Sequence, residues 1–576
     1  MRKSIDSEDF TSDHPLICVP RFLLVSLNIE TILQESTIYR RRQRLSKMGG
    51  GLGLGDAYGA TIERIKGQVG DKSKLGIGAL MWVSHAERPL KAEELCYAQA
   101  VELGSTDFND GSIPSASTLV SCCQGLITMD KEASTVRLIH FTLREYLSTH
   151  PDIFSRPHST IAEICLTYLN SEQIKALSAD HFPNLLEKLF LRYCSVYWAV
   201  HAKRELSESA KSLALKLLQQ YDGHISTHFL LEGVPHLDLE DFGPCFPFSG
   251  LHCASFLGTV ELVSALLDLE CYDINVGDFG GRTALSWAAW NGNEGVVNIL
   301  LGRREICPDK PDTEGRTPLS YASWGGHEGV IKILLGREDV NPNKPTNYGH
   351  TPLSYAAWGG CEGAVKVLLE QKEVDPDQPS NHGQTPLSYA AWGGRTGVVK
   401  ILLRREEVNP DKADHDGRTP LWYAAWQDHE RVLKILLELE EVNPDQPDNF
   451  GLTPLMSAIL IPRVDVVLEW EEVNTDKPDY EGRTPFWYAR QKRERVLEML
   501  LEREEVNPNK PDNDGRTPLY YAAQGRSGRV IKVLLKWGAD PTRPDKDGET
   551  PLLLAARSAG RDIVALLNEG VTHSAI

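Results

Sequence analysis

The sequence predicts a mainly helical protein in which a long array of repeated helix pairs follows a smaller, non-repetitive region. Two observations predict this fold class. The motif Thr-Pro-Leu-x-x-Ala-Ala recurs through the second half of the 576 residues, and each copy is followed by an apolar run with helical spacing. One such pair cannot bury its apolar face alone, so successive pairs must stack into a solenoid.

Composition and charge argue against several classes of protein. Apolar residues make up 41% and charged residues 24%, which is typical of folded proteins. The net charge of −19 disfavours binding to nucleic acid or to anionic membranes. The eleven cysteines form no C-x-x-C pair, the acidic N-terminus is unlike a signal peptide, and the longest apolar stretch, Pro15–Leu27, is too short to span a bilayer. We therefore predict a cytoplasmic protein with reduced thiols and no membrane anchor.

Residues 1–245 show no repeat period and are predicted to be mostly helical. Residues 1–70 would hold a helical segment and a glycine-rich linker at Gly49–Gly55. Residues 71–150 would form a small domain, and residues 151–245 a helical connector. In the small domain, helices are predicted at Leu75–Ser84, Lys91–Val101 and Ser115–Gln124, and strands at Leu126–Met129 and Val136–His140 around a polar turn.

The array over residues 246–576 contains ten predicted repeats. Counting back one step from the first motif threonine reaches Ser249, which starts repeat 1. Repeat 7 is three residues short and carries Pro462 where its second helix should begin, so we expect a kink or a break in curvature at residues 459–470. The threonines that start repeats 2 to 10 are Thr283, Thr317, Thr351, Thr385, Thr419, Thr453, Thr484, Thr517 and Thr550.

Each repeat is predicted to contain two short antiparallel helices. In repeat 3, Thr317 suits an N-cap and Pro318 the first helical position, so a helix is predicted over Leu319–Trp324. Gly325-Gly326 would end that helix, and Val330–Leu335 would supply its partner.

The repeats resemble ankyrin repeats. The elements Asp-x-x-Gly-x-Thr-Pro-Leu, Ala-Ala, Gly, Val-Val or Val-Ile, and Leu-Leu occur at the family's spacing over about residues 246–576. The resemblance implies a solenoid that binds protein partners in its concave groove. The family's usual histidine after Thr-Pro-Leu survives only as His252, which leaves the threonine–histidine hydrogen bond in question elsewhere. The replacements are Ser286, Ser320, Ser354, Ser388, Trp422, Met456, Trp487, Tyr520 and Leu553.

An aromatic row follows the Ala-Ala position in repeats 1 to 6. Its members are Phe256, Trp290, Trp324, Trp358, Trp392 and Trp426. The resemblance places this position at the end of the inner helix, facing the groove. Two interpretations stay open: the indoles form a protein-binding stripe, or they cover neighbouring inner helices and stabilise the stack. The nearby tyrosines, including Tyr321 and Tyr355, are predicted to pack on the face toward the outer helix.

The hairpin tips are a second candidate partner surface, because the residues beside the turn glycine vary while the frame does not. The alternative for each residue is a simple solvated turn. Both surfaces together lead to the hypothesis that a protein ligand lies across repeats 2 to 6. The tip residues are Thr313, Glu314 and Arg316; Asn347, Tyr348 and His350; and Asn381, His382 and Gln384.

The helices and hairpin of residues 71–150 resemble the winged-helix domain that follows the nucleotide-binding core in fungal NACHT proteins, a domain named for its likeness to that of GPI inositol-deacylase. The resemblance is carried by Arg88-Pro89-Leu90, Glu93-Glu94-Leu95, Gly125-Leu126-Ile127, Val136–Thr142 and Glu145-Tyr146-Leu147. The whole chain then resembles the C-terminal part of a fungal NACHT–ankyrin receptor. The hairpin, or wing, of this domain carries almost no net charge, so a role as a hinge is favoured over DNA binding.

The sequence carries no recognisable motif for catalysis. It contains no Gly-Lys pair and hence no phosphate-binding loop. Asp414–Gly417 and two similar segments lack the later glycine and glutamate of a calcium loop. We therefore predict a non-enzymatic interaction scaffold or sensor arm without cofactor or metal. The alternatives are a fragment of a signalling NTPase whose P-loop core is missing from this chain, and an enzyme whose site has no recognisable motif.

Overall fold

The structure is a computed structural model that describes residues 36–40, 43, 54–130, 132–177, 189–232, 247–269, 272–460, 473–489, 494–503, 506–558 and 561–574. The chain divides into two compact units, a front unit, Met1–Tyr272, and a rear unit, Asp273–Ile576. Both units are mainly helical, as predicted. No helix in the described part of the chain combines the length and the apolar composition that a bilayer span needs.

The front unit starts with a helical domain that carries a small antiparallel sheet. The strand order is β1-β3-β2, with Leu90 opposite Val136 and Ile127 opposite Leu138. The three predicted helices and the hairpin are confirmed, and β1 was not predicted. The elements are α1 (Leu54–Lys66), α2 (Lys72–His85), β1 (Leu90–Lys91), α3 (Ala92–Ala100), a 3-10 turn (Asp110–Ser112), α4 (Ala116–Cys122), β2 (Ile127–Asp130), β3 (Thr135–Leu138) and α5 (Phe141–Thr149).

A buried ion pair fixes the start of α3. Arg88 donates to both carboxylate oxygens of Glu94, whose side chain is completely buried. Glu94 Oε2 also accepts the Lys91 N–H at 2.8 Å, which caps the helix. The ion pair therefore ties the Arg-Pro-Leu segment to the start of α3.

The helical connector follows in the same unit. Helices α6 and α8 pack on each other around the fully buried Trp198 and Tyr193. Helix α9 packs against the first repeat, where a Cβ on Gly250 would lie 2.0 Å from the carbonyl oxygen of Leu218. Repeat 1 thus belongs to the front unit. The elements are a 3-10 turn (Pro151–Ile153), α6 (Pro157–Leu169), α7 (Glu172–Lys175), α8 (Leu189–Arg204), α9 (Glu208–Leu218) and α10 (Ser226–Leu231).

Each repeat supplies an inner helix and then an outer helix. The inner helices are Gly250–Leu257, Ala284–Trp290, Pro318–Gly325, Pro352–Gly359, Pro386–Trp392, Pro420–Trp426, Pro454–Leu460, Pro485–Ala489, Pro518–Gln524 and Pro551–Ser558. The outer helices described are Val260–Leu267, Glu294–Leu301, Glu328–Leu335, Glu362–Leu369, Thr396–Leu402, Glu430–Leu437, Glu494–Leu501, Gly528–Lys536 and Arg561–Ser574. The kink predicted at Pro462 and residues 49–53 of the glycine-rich linker lie outside the described residues.

The inner helices begin and end as the sequence predicts. In repeat 3, Thr317 Oγ1 accepts the Ser320 N–H at 3.2 Å, and Gly326 ends the helix with a φ of 73°. Ser320 Oγ in turn accepts the Thr317 N–H at 3.3 Å. Serine therefore makes the capping hydrogen bond that His252 makes to Ser249 in repeat 1. Replacing the family's histidine removes neither the cap nor the helix.

Candidate partner-binding surface

The six residues of the aromatic row lie at the C-terminal ends of the inner helices of repeats 1 to 6. Phe256 belongs to the front unit and is partly buried. In the rear unit, Trp290, Trp324 and Trp358 are also partly buried. Trp392 and Trp426 each keep 37% of their surface exposed. The rings are therefore neither sealed in the core nor fully in solvent.

The indoles of the rear unit stack on one another from repeat to repeat. The ring centroids of Trp290 and Trp324 are 5.3 Å apart, those of Trp324 and Trp358 6.0 Å, and those of Trp358 and Trp392 5.8 Å. The last two pairs are nearly parallel, with interplanar angles of 11° and 17°. Trp426 stacks instead on Trp422 of its own helix, at 5.4 Å. Ring stacking in this range stabilises each contact.

Hydrogen bonds between repeats fix the backbone under this row. The carbonyl oxygen of Trp290 lies 2.7 Å from His327 Nε2, and that of Trp392 lies 2.9 Å from His429 Nε2. Arg395 Nε donates to the carbonyl of Trp358 at 3.0 Å. Because a carbonyl oxygen only accepts, both histidines must carry a proton on Nε2. The backbone of Trp290, Trp358 and Trp392 is thus held by the following repeat.

The tyrosines next to the row are buried, but they do not point toward the outer helix as predicted. Tyr321 donates its hydroxyl to Asp312 Oδ2 in the hairpin at 2.5 Å, and its ring lies 4.9 Å from that of Trp290. Burial raises the pKa of Tyr355 to about 12, so this hydroxyl stays protonated. Core packing of these tyrosines is confirmed; the Tyr321 hydroxyl turns to the hairpin because it needs a buried acceptor, which Asp312 supplies. Tyr321 therefore connects the indole of Trp290 with the hairpin that carries Asp312.

Asp312 holds its hairpin together through both carboxylate oxygens. Oδ1 accepts the backbone N–H groups of Glu314 at 2.9 Å and of Arg316 at 2.8 Å. Oδ2 accepts Arg316 Nε at 2.8 Å, and the guanidinium lies 5.6 Å from the Tyr321 ring centroid. Arg316, predicted as a tip residue for partner binding, is therefore engaged within its own repeat. The recurring Gly-Arg-Thr sequence could have signalled this role.

A chain of side-chain hydrogen bonds links repeats 4, 5 and 6. His350 Nε2 lies 2.9 Å from the hydroxyl of Tyr389, which donates to Gln384 Oε1 at 2.7 Å. Gln384 Nε2 donates to the Tyr423 hydroxyl at 2.7 Å, and Tyr423 donates to Asp414 Oδ2 at 2.5 Å. The side chains of His350 and Gln384, predicted as tip residues for partner binding, therefore bind neighbouring repeats. No sequence pattern indicated this series of hydrogen bonds.

The other predicted tip residues are at the surface. Thr313, Asn347, Tyr348, Asn381 and His382 are exposed, and Glu314 is partly exposed.

Two tip asparagines also connect successive hairpins. Asn347 Nδ2 donates to the carbonyl of Thr313 at 2.9 Å, and Asn381 Nδ2 donates to the carbonyl of Asn347 at 2.8 Å. The side chains of Tyr348 and His382 lie beside these asparagines and are exposed. Partner binding by all these residues stays a prediction.

Two further exposed aromatics occupy hairpin tips beyond those predicted. Phe450 is 63% exposed and Tyr480 is 67% exposed, compared with 52% for Tyr348. Phe450 immediately precedes its turn glycine, as Tyr348 does, so the same sequence rule would have found it.

Comparisons with known proteins match both parts of the chain. The profile described as ankyrin repeats (3 copies) matches residues 217–312, 305–380, 339–414, 364–448, 387–468, 461–545 and 489–574. The profile of the GPI inositol-deacylase winged helix domain matches residues 64–168. Among solved structures, the human ASB11 ankyrin repeat domain matches with 23% identity and a TM-score of 0.34, over 38% of this chain and 95% of that chain. No curated protein matches.

Proposed function

The chain belongs to the ankyrin-repeat family, and we propose that its repeats form a non-catalytic surface that binds another protein. The family is one of interaction scaffolds, so the general role follows from membership. The finer proposal is that the partner lies in the concave groove of repeats 2 to 6. The stacked, partly exposed indoles from Trp290 to Trp426 are the observation that carries it.

The indole row suits a protein partner for two physical reasons. Tryptophan offers a large apolar surface, and its rings here are held in place before binding by stacking and by the backbone under them. A binding surface that is already ordered loses little side-chain entropy when a partner docks. The greater exposure of Trp392 and Trp426 makes this end of the row the proposed centre of contact.

The tip residues would form a second border of the same surface. The ring of Tyr355 contacts those of Trp324 and His350, and the ring of His350 contacts that of Tyr348. We therefore propose that a ligand on the row also reaches the exposed side chains of Tyr348 and His382. We propose that these exposed side chains select the partner, while Arg316, His350 and Gln384 keep the frame rigid.

The front half is proposed to connect this binding array to a signalling partner. The winged-helix match supports the resemblance to fungal NACHT–ankyrin receptors. On that resemblance we propose a cytoplasmic sensor arm, with a winged-helix domain at about 71–150, a connector at 151–245 and repeats from 246. The alternative proposal is a fragment of a signalling NTPase, and an in-frame phosphate-binding loop in the transcript upstream of Met1 would favour it.

The binding proposal is tested by affinity capture with the full chain, followed by affinity measurement on each captured protein. We expect Trp392→Ala combined with Trp426→Ala to weaken binding at least tenfold. Trp537→Ala is the matched control, because this tryptophan is also 37% exposed but follows an outer helix. Equal affinities for the wild type and the double variant would refute the groove proposal. Tight ATP binding by the purified chain would refute the non-catalytic role.

A further inference from the structure

Three potential metal ligands converge in the front unit. Glu87 follows α2, His158 lies in the first turn of α6, and His201 lies near the end of α8. One ligand atom from each lies within 4.8 Å of the other two. We propose that Glu87, His158 and His201 form a binding site for a divalent transition metal of the zinc class.

The distances fit such an ion. The Nδ1 atoms of His158 and His201 are 2.9 Å apart. Two ligands at the usual zinc distance in a tetrahedral site are separated by about 3.3 Å, so the histidines need to open by only a few tenths of an ångström. Two imidazoles and one carboxylate leave a fourth position for water, a ligand set that zinc accepts.

The residues around His201 already orient it as a ligand. Its Nε2 lies 2.9 Å from the hydroxyl of Tyr193, which also accepts the backbone N–H of Glu87 at 3.2 Å. With the proton on Nε2 and donated to Tyr193, the lone pair on Nδ1 faces His158 Nδ1 and can bind a metal that displaces the proton between the two Nδ1 atoms.

The charged groups facing the site limit its affinity. Arg204 pairs with both oxygens of Glu87, with Nη2 at 3.1 Å from Oε2, and the His85 ring lies 5.4 Å from that of His158. A carboxylate has enough lone pairs for an arginine and a metal together. The positive charge of Arg204 repels a dication, so we expect micromolar binding. Without an ion, one proton shared between the two Nδ1 atoms would hold the same pair.

Cobalt titration of the purified full chain under reducing conditions distinguishes a metal site from a pair of histidines that only share a proton. We expect visible d–d absorption bands of a four-coordinate site, without the near-ultraviolet thiolate band that binding to the exposed Cys307 would give. Zinc should abolish the bands by competition and raise the melting temperature.

Two ligand variants and one control complete the test. Glu87→Gln, which keeps the side-chain shape, and His158→Gln should each weaken cobalt binding at least tenfold. His150→Gln is the control, since His150 is also partly buried in this unit but lies outside the cluster. No d–d bands at saturating cobalt, a thiolate band, or unchanged binding in both variants would overturn the proposal. A circular dichroism spectrum matching the wild type identifies the variants that are folded.

Discussion

Substitution of Trp358 by alanine tests whether the aromatic row stabilises the array. Its ring contacts Trp324 at 6.0 Å, Trp392 at 5.8 Å and Tyr389 at 6.3 Å. Losing roughly 100 Å² of buried apolar surface costs about 2.5 kcal/mol at about 25 cal/mol per Å². Three ring contacts add about 0.5 kcal/mol each, at the low end for aromatic pairs. We expect Trp358→Ala to lower the free energy of unfolding by about 3–4 kcal/mol.

Urea unfolding of the full chain, followed by far-ultraviolet circular dichroism, measures this change without relying on tryptophan fluorescence. Phe450→Ala is the control: its ring is 63% exposed, so we expect a loss within about 0.5 kcal/mol. Amide exchange should also quicken in the inner helices of repeats 3 to 5. If the two variants lose equal stability, stacking does not stabilise the array, and the row would be a surface feature alone.

Three further predictions concern stability, two of them in the hairpins of repeats 3 and 5 and one in the connector. Asp312→Ala should cost about 3–4 kcal/mol of unfolding free energy, measured by urea denaturation, because it leaves a partly buried arginine and a tyrosine hydroxyl without their acceptor; a loss below 1 kcal/mol would contradict this. Asn381→Ala should cost about 1 kcal/mol, and the neighbouring exposed His382→Ala almost nothing in the same assay; equal effects would show that the inter-hairpin hydrogen bond is unimportant. Burial, together with Lys175, lowers the pKa of His224 to about 4, so the unfolded chain binds a proton at this residue more readily than the folded one, and the free energy of unfolding falls as the pH drops from about 6.5 toward 4. Relative to His224→Gln, the wild type should lose about 2–3 kcal/mol of unfolding free energy between pH 7 and pH 4.5. Parallel pH profiles of the two proteins would refute the lowered pKa.

The sequence predicted the repeated frame well because its signals are local. Thr317, Pro318 and Gly326 specify where a helix begins and ends through their own backbone preferences, and the structure places them in those roles. The hairpin of the front domain was also predicted from a local signal, two short strands around a polar turn. β1 was missed because two residues carry no usable period.

The sequence predicted which residues belong to the candidate surface but not how they contact one another. The positions of Trp290 to Trp426 were evident from their spacing, but their stacking and partial burial depend on the distance between repeats. The inward direction of His350 and Gln384 depends on tyrosines 39 residues further along the chain. Such contacts leave no local pattern.

The sequence by itself determined the helix pairs, their caps and the order of repeats, because neighbouring residues set these through backbone geometry and apolar periodicity. Only the tertiary structure decided which side chains meet across repeats and that Glu87, His158 and His201 share one site. Those three residues are far apart in the chain, and the packing of α6 on α8 brings two of them together. Proximity in space follows from burial of distant apolar surfaces, which no short segment of sequence records.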